Sequence, residues 1–170
     1  MAYKVRIYGD PVLRKSTDSV TEFDNNLSDI VHNMIEAMYE GNGIGLAAPQ
    51  VGISKKIIVI DTSFGENADS ALHLINPEII ETKGECLLEE GCLSIPGVYE
   101  EIVRPEKILV TYFDSDGNEQ KIDADGLLSR VIQHEMDHLD GILFVDRLST
   151  VKRNLLAKTL RTFAKEGDGV

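Results

Sequence analysis

Between residues 24 and 40 the apolar positions Leu27, Ile30, Val31, Met34, Ile35 and Met38 recur at the spacing of one helix face. Asp24 stands where an N-cap belongs and Gly41 where a helix stops, so the pattern predicts an amphipathic helix. Residues 126–139, closed by Gly141, and residues 150–165 carry the same period. Elsewhere the period shortens to two. Residues 3–8 alternate in polarity up to Gly9-Asp10-Pro11, which predicts a strand and a turn. Further short strands are expected at 56–61, 72–75, 78–82, 98–103 and 107–113, and Asp116-Gly117 reads as a hairpin turn between two strand-like runs. Several strands framed by three separated helices, without βαβ alternation, predict an α+β fold. No repeat, low-complexity tract or linker breaks the pattern, so residues 1–170 read as one domain.

Composition narrows the classes. With 170 residues, 42% hydrophobic and 27% charged, the chain can bury a real core. Its 29 acidic against 17 basic side chains give a formal charge of −12, which argues against binding DNA or an anionic membrane. Two cysteines make no disulfide framework and point to a reducing interior. The longest aliphatic run, Ile57-Ile58-Val59-Ile60, is too short to span a bilayer. Met1 leads almost at once into the first strand-like pattern, leaving no room for a targeting peptide. A soluble cytoplasmic protein is expected.

The chemistry concentrates in His134-Glu135-Met136-Asp137-His138. On a helix, positions i and i+4 share a face, so both imidazoles can reach one metal ion, while the glutamate between them is offset to act on a water. Leu127 and Val131 lie on the His134 stripe and make the wall beside the metal apolar. A third ligand must come from elsewhere, because no histidine follows His138 and the only later glutamate is Glu166. Cys92, in Glu90-Gly91-Cys92-Leu93-Ser94, is the better candidate, since glycine beside a thiolate lets backbone approach an ion closely. Cys86 sits in what reads as an ordinary strand. A Glu90–Arg104 pair is one contact that would fix the metal loop.

The segment Gly43-Ile44-Gly45-Leu46-Ala47-Ala48 formally matches a dinucleotide fingerprint, but a helix precedes it and Pro49 disfavours the helix that should follow. It reads instead as a flexible turn delivering Gln50, which taken alone would be a solvated loop residue.

Together, Gly43-Ile44-Gly45-Leu46-Ala47-Ala48-Pro49-Gln50, Glu90-Gly91-Cys92-Leu93-Ser94 and Gln133-His134-Glu135-Met136-Asp137-His138 resemble the three signature motifs of bacterial peptide deformylases, in the same order and similar spacing. Gly9-Asp10-Pro11-Val12-Leu13-Arg14 is similar to the family's N-terminal segment, so the resemblance covers nearly the whole chain. It implies a single domain in which antiparallel or mixed sheets surround a central metal-binding helix, with one helix earlier and one at the C-terminal end. It further implies one divalent ion on Cys92, His134 and His138, natively Fe2+ in many members, with Zn2+, Ni2+ or Co2+ also suited to that donor set. Glu135 would be the general base, and the Gln50 amide and Leu93 N–H would hold an oxyanion. Gly45 matches a backbone contact to the substrate, an N-formylmethionyl nascent peptide. Ile44, Leu127 and Val131 are the expected methionine pocket, from apolar character and helix phase.

Two other readings stand beside this one: a zinc endopeptidase, short of its downstream ligand, and a structural metal domain, short of a fourth ligand. Residues 150–165 hold five of the 17 basic residues (Lys152, Arg153, Lys158, Arg161, Lys165) and no acid. That face is either a solvated balance to an acidic body or, as the resemblance implies, a docking element for the ribosome.

Overall fold

In the computed structural model, which describes residues 3–167, the helical periods give α1 (Asn25–Glu40), α2 (Gly126–Leu139) and α3 (Thr150–Gly167). The Asp24 carboxylate accepts from Leu27 N–H at 3.0 Å and caps α1 as expected. Strands β1 (Gly45–Ala47), β2 (Ile57–Ile60), β3 (Leu72–Lys83), β6 (Lys107–Phe113) and β7 (Glu119–Ala124) form one sheet in the order β1-β2-β3-β6-β7. Strands β4 (Cys86–Cys92) and β5 (Ile95–Arg104) make a separate hairpin. Every strand pair is antiparallel.

The aliphatic run of β2 explains the layering. Ile57 and Val59 pack on the α1 side, while Ile58 and Ile60 pack on the α2 side, with all four buried. A strand covered on both faces needs no polar alternation, and each such side chain contributes roughly 1.5–3 kcal/mol on burial. A third cluster joins Ile95, Val98 and Ile102 of β5 to Phe144 and to Leu160 of α3.

Three expectations change. Residues 3–8 form no strand, although their alternation is real. Arg6 N–H donates to Gln50 O and Tyr8 N–H to Ser94 O, two separate segments, so no ladder develops. The expected strands at 72–75 and 78–82 are one strand, β3, bent at Asn76-Pro77 where the register to β6 shifts. Asn76 takes φ +51° there, and its side-chain amide bonds Val20 through both its oxygen and its nitrogen. The glycine-rich segment is not a loose turn: it contains β1 and a 3-10 turn over Ala48–Val51.

Candidate metal centre

Ten of the 14 residues of α2 are buried, and seven of those ten are polar or charged: Ser129, Arg130, Gln133, His134, Glu135, Asp137 and His138. Side chains of that kind enter an interior only when paired or functional. His134 and His138 lie one turn apart, with ring centroids 5.2 Å apart, and Cys92 closes β4 against them. One donor atom from each of these three residues falls within 4.8 Å of the other two, and Cys92 Sγ is 3.4 Å from His138 Nε2. A tetrahedral ion with bonds of about 2.0–2.3 Å spaces its donors by about 3.5 Å, so the set fits a divalent ion.

Behind the cluster lies a buried ion-pair network. Glu90 Oε1 meets His134 Nδ1 at 2.8 Å, which leaves Nε2 of that ring for the centre. Arg104 grips both Glu90 oxygens at 2.6 and 2.9 Å and reaches Asp137 at 2.8 Å. Arg130 adds a bond to Glu90 at 2.7 Å, and Arg147 binds both Asp137 oxygens at 2.6 Å. The Glu90–Arg104 contact was visible as a possibility in the sequence. The roles of Arg130, Asp137 and Arg147 were missed, although Arg130 sits one turn before His134 on the same stripe.

Gln50, which taken alone would read as a solvated loop residue and which the resemblance placed in the site, is 1% exposed. Its Oε1 accepts from Ala47 N–H at 2.9 Å, and its Nε2 donates to Ser94 Oγ at 3.1 Å and to Cys92 Sγ at 3.4 Å. Pro49 sets the turn that folds this side chain inward. At Gly45 an added Cβ would lie 2.7 Å from Glu135 Oε1 and 2.7 Å from Val131 Cγ1, so only glycine lets β1 pass this close to α2. A cavity of about 640 Å³ opens in front, and Ile44, Leu127, Val131 and Leu93 line it with Gly45, Gln50, Cys92, His134 and Glu135. His138 lies behind that wall, almost fully buried.

Burial pushes the Glu135 carboxyl up to about 7, with His134 opposing, and its Oε2 is buried without a partner among the described residues. Burial also opposes charge on Glu90, yet hydrogen bonds from His134 and Arg104 hold it well below the usual carboxylate range. Burial and the neighbouring His134 depress His138, favouring the neutral, ligating imidazole. His134 is raised despite burial by Cys92 and Glu90, so an ion held at the cluster would take the place of that proton.

The sequence matches the family of polypeptide deformylases over residues 2–154. The chain belongs to the peptide deformylase family. A peptide deformylase of Thermodesulfovibrio yellowstonii is 49% identical over 94% of this chain and 96% of that one. The Acidobacterium capsulatum enzyme is 50% identical over 95% of each. Among solved structures, the Plasmodium falciparum deformylase superposes with a TM-score of 0.93 at 38% identity, covering 98% of both chains. That of Thermus thermophilus gives 0.91 at 41%, covering 98% of this chain and 99% of that one. This deformylase is therefore an enzyme of a metal-dependent family that removes N-formyl groups from nascent peptides. Membership disfavours the endopeptidase and structural-metal readings. None of its described helices is long and apolar enough to cross a membrane.

Proposed function

We propose that this deformylase hydrolyses the formyl amide at the N-terminal methionine of new polypeptides, with Cys92, His134 and His138 holding one divalent ion, natively Fe2+. The observation that carries the reading is the convergence of those three donors beside a buried, half-unpartnered Glu135 in one cavity. Three protein ligands leave a coordination position open, as catalytic sites do. When bound, the ion supplies Lewis acidity, tempered because one thiolate and two neutral imidazoles leave it a net charge near +1. Zn2+, Ni2+ and Co2+ suit the same donors.

The remaining work falls to the chain itself. Glu135 takes a proton from water as the water oxygen attacks the formyl carbon. The Gln50 amide and the Leu93 N–H donate to the oxygen on which negative charge develops. Glu135 then returns the proton to the methionine nitrogen as the C–N bond breaks, giving formate and a free amine. Gly45 offers backbone to the substrate where a side chain would collide with Glu135. Ile44, Leu127 and Val131 enclose the methionine side chain on an apolar wall. Formate release from formyl-Met-Ala-Ser by anaerobically purified, Fe2+-loaded protein tests the reading. Turnover should vanish on chelation, return with Fe2+ and fade in air as thiolate and ferrous ion oxidise. A loaded protein that releases no formate overturns it.

The whole chain acts as one domain in the cytoplasm, and α3 docks it on the ribosome. Lys152 pairs with Glu100 at 3.6 Å, whereas Arg153, Lys158, Arg161 and Lys165 are exposed on α3. Deleting the helix is a poor test, because Leu160 is buried and Leu156 and Phe163 pack on the same cluster. Reversing those four charges to glutamate keeps the packing. Co-sedimentation with ribosomes at low salt should fall at least tenfold while tripeptide turnover holds. Equal co-sedimentation would sink the docking assignment.

A further inference from the structure

Phe64 combines two features that a loop residue normally avoids. Its side chain is 71% exposed, and its backbone sits at φ +56°, a left-handed conformation in which a bulky residue is an outlier. The turn that carries it is nonetheless tightly held. Asp61, 3% exposed just beyond β2, accepts from Ser63 N–H at 2.8 Å, from the Ser63 hydroxyl, from Gly65 N–H at 3.1 Å and from the Tyr39 hydroxyl at 2.7 Å. The Asp61 N–H itself donates to Ile44 O at 2.9 Å. Asp61 thus ties the turn to α1 through its carboxylate and to Ile44, the cavity residue that precedes β1, through its backbone N–H. Burial opposes the Asp61 charge, but these hydrogen bonds outweigh it and keep the carboxyl low. Burial and the same carboxylate push Tyr39 up to about 12.

The turn places Phe64 on the wall of the cavity that holds Glu135. Tyr99, 63% exposed, lines the same cavity from β5, its ring lying so close over Gly91 that a Cβ there would be 2.6 Å from it. Exposed aromatics fixed on the wall of a binding cavity are the side chains that anchor peptides, because they offer large area at little conformational cost. Strain at a phenylalanine that is 71% exposed, maintained by the hydrogen bonds of Asp61, is not repaid by burial of the ring within the chain.

We infer that Phe64, held by Asp61, is a specificity-determining residue that packs on the nascent-chain residues following the formylated methionine and favours apolar side chains there. The inference rests on the deformylase reading, since it takes the formylated peptide to occupy the cavity that Phe64 lines.

Initial rates on formyl-Met-amide, formyl-Met-Ala-Ser and formyl-Met-Leu-Phe separate the two. The parent enzyme should show a lower KM for formyl-Met-Leu-Phe than for formyl-Met-Ala-Ser. Phe64→Ser should raise the KM for formyl-Met-Leu-Phe about five- to tenfold with kcat within about twofold, leave formyl-Met-amide within about twofold, and erase the preference. Phe64→Tyr should keep the preference. Phe64→Gly relieves the backbone strain, so it should melt no lower than the parent yet show the same rise in KM, which a damaged fold could not produce. Asp61→Asn should move KM in the same direction. An unchanged preference in Phe64→Ser, with turnover intact, overturns the inference. Absence of turnover by the parent on all three peptides overturns the deformylase reading and this inference with it.

Discussion

Replacing Glu135 by glutamine is expected to lower kcat for formate release by roughly a hundred- to ten-thousand-fold while the protein keeps one metal ion per chain. Glutamine preserves the shape that α2 and β1 have built around this position, where Val131 and Glu135 leave Gly45 no room for a methyl group. What it removes is the ability to take a proton from water and return it to the leaving amine. Alanine would remove that too, but would open a void and blur the cause. The same substitution should not weaken the fold. Burial holds the Glu135 carboxyl up at about 7, and its Oε2 finds no partner among the described residues, so its charge is a cost to the folded state. The glutamine variant should therefore melt at or above the parent's temperature, which is the usual relation between a catalytic group and stability. Metal analysis, a thermal melt and a formate assay on one preparation check all three. Undiminished turnover would remove Glu135 from the role of base, and lost metal would mean that the residue supports the ligands instead.

Local geometry was the part legible in the sequence. The three helices follow from a 3.6-residue period and β2 from an unbroken aliphatic run, because each signal lies within its own element. The pairing of His134 with His138 is equally local, a consequence of i, i+4 spacing on α2. Cys92 is different: it lies more than 40 residues from either histidine, and its weight came from its glycine neighbour and from motif resemblance. The burial of Gln50 was legible only through motif resemblance and not in local pattern, since it depends on β1, a three-residue strand hidden among glycines. The fate of residues 3–8 was illegible, because their hydrogen-bond partners belong to two remote segments. The charges around Glu90 converge from β5 and α2, at separations of 14 to 44 residues, and sequence periodicity carries no information on such meetings. Phe64 illustrates the same limit at the surface, where a single aromatic in a polar loop gives no hint of a strained backbone.

Glu90→Ala is expected to destabilise the protein by about 3–5 kcal/mol at pH 7, although Glu90 is buried and would itself ligate nothing. The side chain joins two buried arginines and a histidine: Arg104 through both oxygens, Arg130 at 2.7 Å and His134 at 2.8 Å. Among the described residues, removing it leaves Arg104 only Asp137 and leaves Arg130 only the carbonyls of Ile102 and Cys86. Two guanidinium charges then outweigh the one remaining carboxylate, Asp137, which is already shared with Arg147. The imidazole of His134 also loses the bond that sets its orientation, so metal affinity should fall about 10- to 100-fold. Arg147→Ala makes the contrast, because its side chain is 41% exposed and water can replace its contacts; a loss of at most about 1 kcal/mol is expected there. The pH dependence has a definite sign. The folded-state carboxyl of Glu90 titrates below its unfolded value of about 4.5, so its contribution is complete above that pH and drains away only as pH falls toward the folded value. Urea melts of parent and Glu90→Ala should therefore differ by the full amount at pH 7 and begin to approach each other only below about pH 4.5, the gap narrowing further as pH falls toward the folded value. A gap under about 1 kcal/mol at pH 7 would mean that the arginines find other partners and that the network does not hold the centre in place.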